Sequence, residues 1–463
     1  MHARRVRPST GPTDRRRLAA AASSAVLPGL GQLINGRRRL ARWLLIPSLV
    51  VIAAAWLLIA TQSLTSLAAK VIVPATLSAL LLLNVIVLAW RLFAVGQAYF
   101  DGRYRGAGMS RWAVGGLIAI SILVTLPHLL AWQYGQLAER TFAGIFTAQQ
   151  AAREDRSSAS MPRPRDRINV LLIGTDARKE GRRDALTDTL IVISVDPVGR
   201  TASMVSIPRD TVDVPLGNGD VFGPKINTLR RYADRHRDEF PEGGLRTLQD
   251  AIGALLGIRI HYYAELDLRG FVKLVDAVGG IDISVKKALD DPSYPRPGGG
   301  HGFSIEAGKH HLDGLAALAY ARIRKPAGES DFTRANRQQQ VLLAIRKAIG
   351  TDDLLFRLPE LLDALDEIVE TDIPVDRLPE LATLAEEIPS GSITRVVIKK
   401  PLVKAGPRSH RYGSVQIPNV DAIAAMAARL FPAPGVEPEG WPPKPSPSPA
   451  PGEEPTRQPP PAR

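Results

Sequence analysis

The chain contains no cysteine in 463 residues. That excludes a disulfide framework, a thiolate metal site and a cysteine nucleophile together, and it is compatible with an extracytoplasmic setting. Acidic residues are nearly missing from positions 1–111, where fifteen lysines and arginines face only Asp14 and Asp101. The remaining 352 residues balance at 44 basic against 44 acidic, so the net charge of +13 belongs to the N-terminal part. No basic excess is left over for a phosphate backbone, which argues against a nucleic-acid binder. Internal repeats are absent. So is an apolar core directly behind the arginine-rich residues 1–17, which are therefore expected to be irregular and uncleaved.

What the N-terminal part does have is apolar length. Trp43–Ala60, Val71–Trp90 and Trp112–Trp132 each approach the ~20 residues that cross a bilayer, lack a polar face, and carry tryptophan at their ends, as suits a membrane–water interface. Leu18–Gly36 is broken by Pro28, Gly29 and Gly31 and reads as re-entrant or interfacial rather than spanning. Arg37, Arg38, Arg39 and Arg42 precede the first run, and Arg91, Arg103, Arg105 and Arg111 follow the second, whereas the intervening loop holds only Lys70. The positive-inside rule then puts 1–42 and 91–111 in the cytoplasm and everything beyond about residue 133 outside.

Residues 133–167 read as a polar stalk, 168–350 as a globular domain, 351–431 as an extension packed on it, and 432–463 as a disordered proline-rich tail. Strand-length apolar runs occupy Ile168–Gly174, Thr189–Val195 and Thr201–Ile207, the last two joined by the turn sequence Asp196-Pro197-Val198-Gly199. Further strands are expected at Arg259–Leu266, Ile281–Val285 and Ser392–Lys399. Helices are expected at Leu245–Leu256, Leu268–Val278, Leu312–Ala319, Asp331–Ile349, Leu354–Val369, Val375–Glu387 and Val420–Phe431. Asp290–Phe303 reads as a mobile proline- and glycine-rich loop. The fold class that follows is α/β, a mixed β-sheet flanked by helices behind a transmembrane helical region.

If the first two strands pair antiparallel, Asp176 after the first, Asp188 just before the second and Arg209 after the third share one sheet edge. Two carboxylates and a guanidinium there can hold a divalent cation beside an oxyanion. Taken singly, such residues are ordinary turn formers and solvated charges. In an extended Tyr320–Arg324 segment, Tyr320, Arg322 and Arg324 share a face, with Ala321 and Ile323 turned inward. Arg334 and Gln338, four apart, share a face of the Asp331 helix, with Val341 and Ile345 on its apolar side. Four arginines gathered at one edge call for a multiply anionic ligand, and a pyrophosphate matches, because guanidinium groups bind phosphate oxygens bidentately and stay charged.

The segments GTDAR, TDT and SIPRD within Ile168–Asp210 are followed in order by KIN (Lys225–Asn227), His261–Val285, Gly308–Arg324 and DFTRANRQQQ (Asp331–Gln340). In this register the chain resembles the LytR–CpsA–Psr family of cell-envelope proteins over roughly 169–348. The resemblance implies an α-β-α domain and a phosphotransferase that moves a glycopolymer from a polyprenyl-pyrophosphate carrier to peptidoglycan through a phosphodiester. It implies Mg2+ as cofactor, held by Asp176 and Asp188. Arg209, Arg322, Arg324, Asp331, Arg334 and Gln338 are implied at the pyrophosphate. Asp176, Arg209 and Arg322 are the catalytic candidates, with Asp176 accepting the hydroxyl proton. The partners expected are the lipid-linked polymer, peptidoglycan and the membrane, with no nucleic acid.

Three departures from the family pattern stand out. Leu186 stands where an arginine is usual, with Arg182 or Arg183 able to substitute. Ser330 and Thr333 replace glycines beside Asp331. His310 and His311 lack metal-ligand spacing and read as surface or capping residues. Two other functions stay open: a lipid-pyrophosphate hydrolase, with water as acceptor, and a membrane-bound transcription regulator, which the neutral charge of 112–463 and the outward topology oppose.

Overall fold

A computed structural model describes residues 12–62, 67, 70, 73–102, 109–153, 162–163, 165–176, 185–295, 300–324, 329–349 and 371–438. The helix expected at Leu354–Val369, and Arg182 and Arg183, lie outside the described residues. The chain divides into two compact units. One comprises Met1–Met161, Leu172–Ala185 and Tyr262–Glu387; the other Pro162–Leu171, Leu186–His261 and Ile388–Arg463.

The first unit begins with helices α1 (Pro12–Val26), α2 (Leu30–Ile34), α3 (Arg38–Thr61), α4 (Pro74–Tyr99) and α5 (Arg111–Arg153). Among the described residues three stretches are long and apolar enough to cross a membrane: α3, α4 and Arg111–Glu139 of α5. Large apolar side chains lie outward on them, Trp43 at 76% and Leu123 at 72% exposure, as lipid-facing surfaces require. The arginine-rich start is more ordered than its composition implies. Residues 12–17 open α1, because Asp14 and Arg17 are buried and the Ser110 N–H donates to Asp14 Oδ2 (3.2 Å).

Leu18–Gly36 folds as a helical hairpin rather than one helix. Gly29 at its corner has φ +107°, and a Cβ there would come within 2.5 Å of Leu45 Cγ, so the turn accepts no larger residue. The hairpin packs on α4 through polar groups that satisfy backbone carbonyls. Gln32 Nε2 donates to Ala94 O (2.9 Å), Asn35 Nδ2 to Ala98 O (2.8 Å) and Arg91 Nη2 to Ala25 O (2.6 Å). Such bonds between helices replace those that water would make.

The rest of this unit holds β6 (Tyr262–Leu266), α8 (Leu268–Ala277), β7 (Ile281–Val285), β8 (Leu289–Pro295), β9 (His301–Ile305), β10 (Gly308–Leu312), α9 (Gly314–Arg322), α10 (Asp331–Ile349) and α11 (Leu378–Glu387). Helices α8 and α9 start at aspartates whose side chains accept from the helix's own backbone, Asp267 from Gly270 N and Asp313 from Ala316 N. Ile281, Ile283, Leu312, Tyr320, Val341 and Ile345 meet in one core. The loop expected over Asp290–Phe303 is instead largely the antiparallel pair β8–β9, with an irregularity between Asp291 and Pro295. Proline is tolerated at such a bulge, so its presence did not exclude a strand.

In the second unit, β2 (Thr187–Asp196) and β3 (Thr201–Ser206) form the expected antiparallel hairpin, and β11 (Ile393–Val397) lies parallel to β3. In this unit the strands run in the order β11-β3-β2, a mixed arrangement, and β1 covers Ile168–Thr175. Helices α6 (Leu229–Arg235), α7 (Gly244–Leu256) and α12 (Val420–Leu430), the short strands β4 (Val214–Pro215) and β5 (Val221–Phe222), and the pair β12 (Val403–Ala405) and β13 (Gln416–Pro418) complete it. Gly257 ends α7 in the left-handed region, as the sequence signal indicated.

The chain beyond Pro432, expected to be a free tail, packs over its described part. Pro432 O accepts from Arg167 Nε (2.9 Å), and the Gly435 N–H donates to Asp196 Oδ2 (2.7 Å). Asp196 is fully buried and needs these donors.

Candidate functional site

Asp188 is the second residue of β2 rather than the one before it. Arg209 follows β3, in a segment that keeps the hairpin going through Ile207 N–H to Leu190 O (2.9 Å). The two side chains meet, Arg209 Nη1 to Asp188 Oδ1 at 2.5 Å. Arg209 Nε lies 3.9 Å from Asp210 Oδ2, and Lys225 Nζ donates to Asp210 Oδ1 at 2.7 Å. Charges of alternating sign thus run Asp188, Arg209, Asp210, Lys225. Backbone bonds fix the order: Asn227 N–H to Arg209 O, Ile226 N–H to Thr211 O, and Gln416 N–H to Asp210 O. All four charged side chains are partly exposed, between 16% and 26%, so the chain of charges stays open to a ligand.

A cavity of about 520 Å³ opens beside it. Arg209, Asp210 and Lys225 form one wall, and Arg231, Tyr232, Arg235 and His236 with Tyr412 form another. Sequence reading passed over Asp210 and Lys225 as site residues, although the KIN motif flagged the lysine. It passed over the second wall entirely. The pattern Arg231-Tyr232-x-x-Arg235-His236 repeats at helical spacing and was a usable signal, whereas nothing local points to Tyr412.

The other candidates belong to the first unit. Arg322 ends α9, Arg324 follows it, and Asp331 opens α10. Asp331 Oδ1 lies 3.0 Å from Arg334 Nη1 and 3.6 Å from Arg324 Nη1, so those three gather. Arg334 is buried while Arg324 is exposed. Gln338 stands one turn beyond Arg334 on α10, and Asp176 directly follows β1, half-buried.

The extended geometry expected for Tyr320–Arg324 does not hold, because α9 runs through Arg322. Tyr320 is buried, its hydroxyl donating to Gln340 Oε1 (2.9 Å), and does not share the arginines' face. Burial raises the Tyr320 pKa, against the lowering pull of Arg337. Burial also raises that of Tyr294, where the adjacent Arg322 guanidinium pulls the other way. Arg337, unremarked in the sequence, braces the whole segment. Its Nε donates to Tyr320 O (2.9 Å), and its other nitrogens bond Ile323 O and the Glu329 carboxylate.

Ser330 and Thr333, which replace the family's glycines, form a reciprocal cap. Thr333 Oγ1 accepts from Ser330 N (2.8 Å) and Ser330 Oγ from Thr333 N (3.2 Å). The substitution gives α10 a start and keeps Asp331 in its first turn. His310 and His311 sit on β10 bonded to Glu306 O, Asp282 and Gly279 O.

Asp188 offers a donor of the kind a hard divalent cation takes. Mg2+ is commonly held by one or two carboxylates, with water and substrate phosphates completing the octahedron. Asp188 Oδ2 has no hydrogen-bond partner among the described residues, since Arg209 engages Oδ1. Among the described residues no three His, Asp or Glu side chains gather as a ready-made cage.

Comparison with known proteins adds the following. The model of the LytR_cpsA_psr family matches residues 139–425. A polyisoprenyl-teichoic acid–peptidoglycan teichoic acid transferase, TagU, from Halalkalibacterium halodurans is 34% identical over 44% of this chain and 60% of its own. The Corynebacterium glutamicum cell wall biosynthesis protein LcpA is 32% identical over 42% of this chain and 43% of its own. The chain thus spans about 60% or less of the length of these curated relatives. A crystal structure of Bacillus subtilis TagV overlays with a TM-score of 0.46 at 26% identity, covering 57% of this chain and 97% of that one.

Proposed function

This chain belongs to the LytR–CpsA–Psr family, and from that premise we propose that it is a membrane-anchored phosphotransferase. It moves a glycopolymer from a polyprenyl-pyrophosphate carrier onto a peptidoglycan hydroxyl, forming a phosphodiester. The observation that carries this reading is the open run Asp188–Arg209–Asp210–Lys225 at the wall of a cavity with four cationic side chains and one carboxylate. A surplus of fixed cations around a few carboxylates suits a phosphorylated substrate.

In the reaction the acceptor hydroxyl oxygen attacks the phosphorus bonded to the sugar. A new P–O bond forms, the bond to the bridging oxygen breaks, and polyprenyl phosphate leaves with that bond's electron pair. Positioning and charge neutralisation supply most of the catalysis in such a transfer. Arg209 and Lys225, held in place by Asp188 and Asp210, neutralise oxyanion charge. Within the first unit Asp331 holds Arg324 and Arg334 together, and these with Arg322 and Gln338 are the groups proposed for pyrophosphate oxygens there. Asp176 takes the hydroxyl proton. Asp176 and Asp188 are each proposed as Mg2+ ligands, and the ion would supply further neutralisation of phosphate charge.

The positive-inside pattern supports three membrane crossings with the catalytic domain outside the cell, where peptidoglycan lies. The test uses the full chain in detergent with a synthetic lipid-pyrophosphate donor. Wild-type protein forms the phosphodiester only when peptidoglycan is present and loses turnover with a chelator or as Asp176→Ala. Release of the sugar phosphate into water, indifferent to acceptor, would make the protein a hydrolase instead.

A further inference from the structure

The cavity beside Arg209 has a second wall that neutralising a pyrophosphate does not call for. Tyr232 and His236 stack as a slab, ring centroids 4.0 Å apart and planes at 20°. His236 is fixed by its Nδ1–H, which donates to Tyr232 O at 2.8 Å. Phe222 and Phe240 back the slab, with centroids 5.5 and 5.9 Å from that of Tyr232. Tyr232 nevertheless remains 36% exposed. Tyr412 faces the same space from the loop between β12 and β13. That loop is tied in by Gln416 N–H to Asp210 O (2.9 Å), and the Arg411 guanidinium lies over the Tyr412 ring at 4.5 Å. Arg231 also lines the cavity and has no carboxylate partner among the described residues.

Three candidate occupants can be compared on chemistry. A polyprenyl chain would find apolar surface here, but it would lie against charged side chains on both walls that it cannot satisfy. A bare phosphate would leave most of about 520 Å³ unfilled and would gain nothing from the rings. A sugar phosphate uses both walls. Its ring presents C–H groups that lie favourably on the negative face of an aromatic π-system, and its phosphate pairs with guanidinium and ammonium groups. The volume is that of a small-molecule site.

We propose that this cavity is the donor glycosyl subsite, holding the first sugar of the polymer against Tyr232 and Tyr412 with its phosphate toward Arg209, Lys225 and Arg231. The assignment rests on the reading of the protein as a transferase of lipid-linked glycopolymer and adds which part of the donor this wall recognises.

The test is calorimetric titration of the full chain in detergent with a hexosamine 1-phosphate, inorganic phosphate and a soluble peptidoglycan disaccharide-peptide. The sugar phosphate is expected to bind about tenfold or more tighter than inorganic phosphate. Tyr412→Ala removes that advantage and leaves inorganic phosphate binding unchanged, and Arg231→Gln weakens both. Tyr232→Ala should act like Tyr412→Ala, but it also strips packing from Phe222 and Phe240, so the loop variant carries the test. Equal affinity for sugar phosphate and phosphate, or preferential binding of the peptidoglycan fragment lost in Tyr412→Ala, overturns the proposal. Binding is read apart from turnover. Failure of polymer transfer with sugar-phosphate binding intact removes the reaction and keeps the subsite; transfer without such binding does the reverse.

Discussion

Among the arginine–aspartate pairs of the second unit, Arg167–Asp196 and Arg209–Asp188 differ more in surroundings than in geometry. Arg167 and Asp196 are 3.3 Å apart with side chains 8% and 0% exposed. Asp196 also accepts from the backbone N–H groups of Val198, Gly199 and Gly435. Every lone pair it offers has a donor, and nothing is left for a ligand. Burial lowers the Arg167 pKa while Asp196 opposes the shift, so the pair holds the guanidinium charged. Arg209 and Asp188 pair as closely but are 17% and 26% exposed, beside a cavity, with Asp188 Oδ2 unbonded among the described residues. The contrast separates a charge pair closed to any ligand from one left open beside a cavity.

The largest expected effect breaks the buried pair. Asp196→Ala leaves Arg167 charged and uncompensated and should cost about 3–5 kcal/mol of stability, read as a lowered denaturation midpoint. Transfer per folded molecule should stay at the wild-type rate. Arg209→Gln should do the opposite, slowing transfer by about 10²-fold while shifting stability by about 1 kcal/mol, as for a pair still partly in contact with water. If both substitutions reduce stability alike, the distinction fails.

His261 sharpens the comparison from a third direction. Burial, with help from Arg259, pushes its pKa down to about 4, and its Nδ1 accepts from the Asn169 N–H (3.0 Å). The folded state therefore keeps the ring neutral while the unfolded chain takes up a proton below about 6.5. Stability should be full above that pH and decline as pH falls from about 6.5 toward 4. A His261→Asn variant should show a flatter Tm profile over that window. The smallest effect concerns the cap. Ser330→Ala should cost about 1 kcal/mol and weaken transfer only slightly, since Asp331 retains its place on α10.

Much of the fold was legible in the sequence because local signals and tertiary packing agree. Ile281–Val285 alternates buried and exposed as β7, and α7 ends at Gly257 where the glycine marks it. Failures occurred where distant groups decide. Residues 12–17 and 432–438 look unstructured by composition, yet the partners of Asp14 and Asp196 hold them. YARIR reads as a strand by alternation, but α9 extends to Arg322 and Arg337 captures the carbonyls behind it. For the site, motif residues drew attention to Asp188 and Arg209. The aromatic wall stayed hidden because Tyr412 reaches the cavity through contacts nearly two hundred residues from Lys225, which periodicity does not encode.

The central claim is that the exposed charge chain beginning at Asp188 carries the transfer. The most direct measurement is the initial rate of phosphodiester formation from a lipid-pyrophosphate donor by Asp188→Ala and wild type, at matched folded fraction. The account predicts a loss of about 10²-fold or more with an unchanged melting temperature. A variant that transfers polymer at the wild-type rate would contradict it.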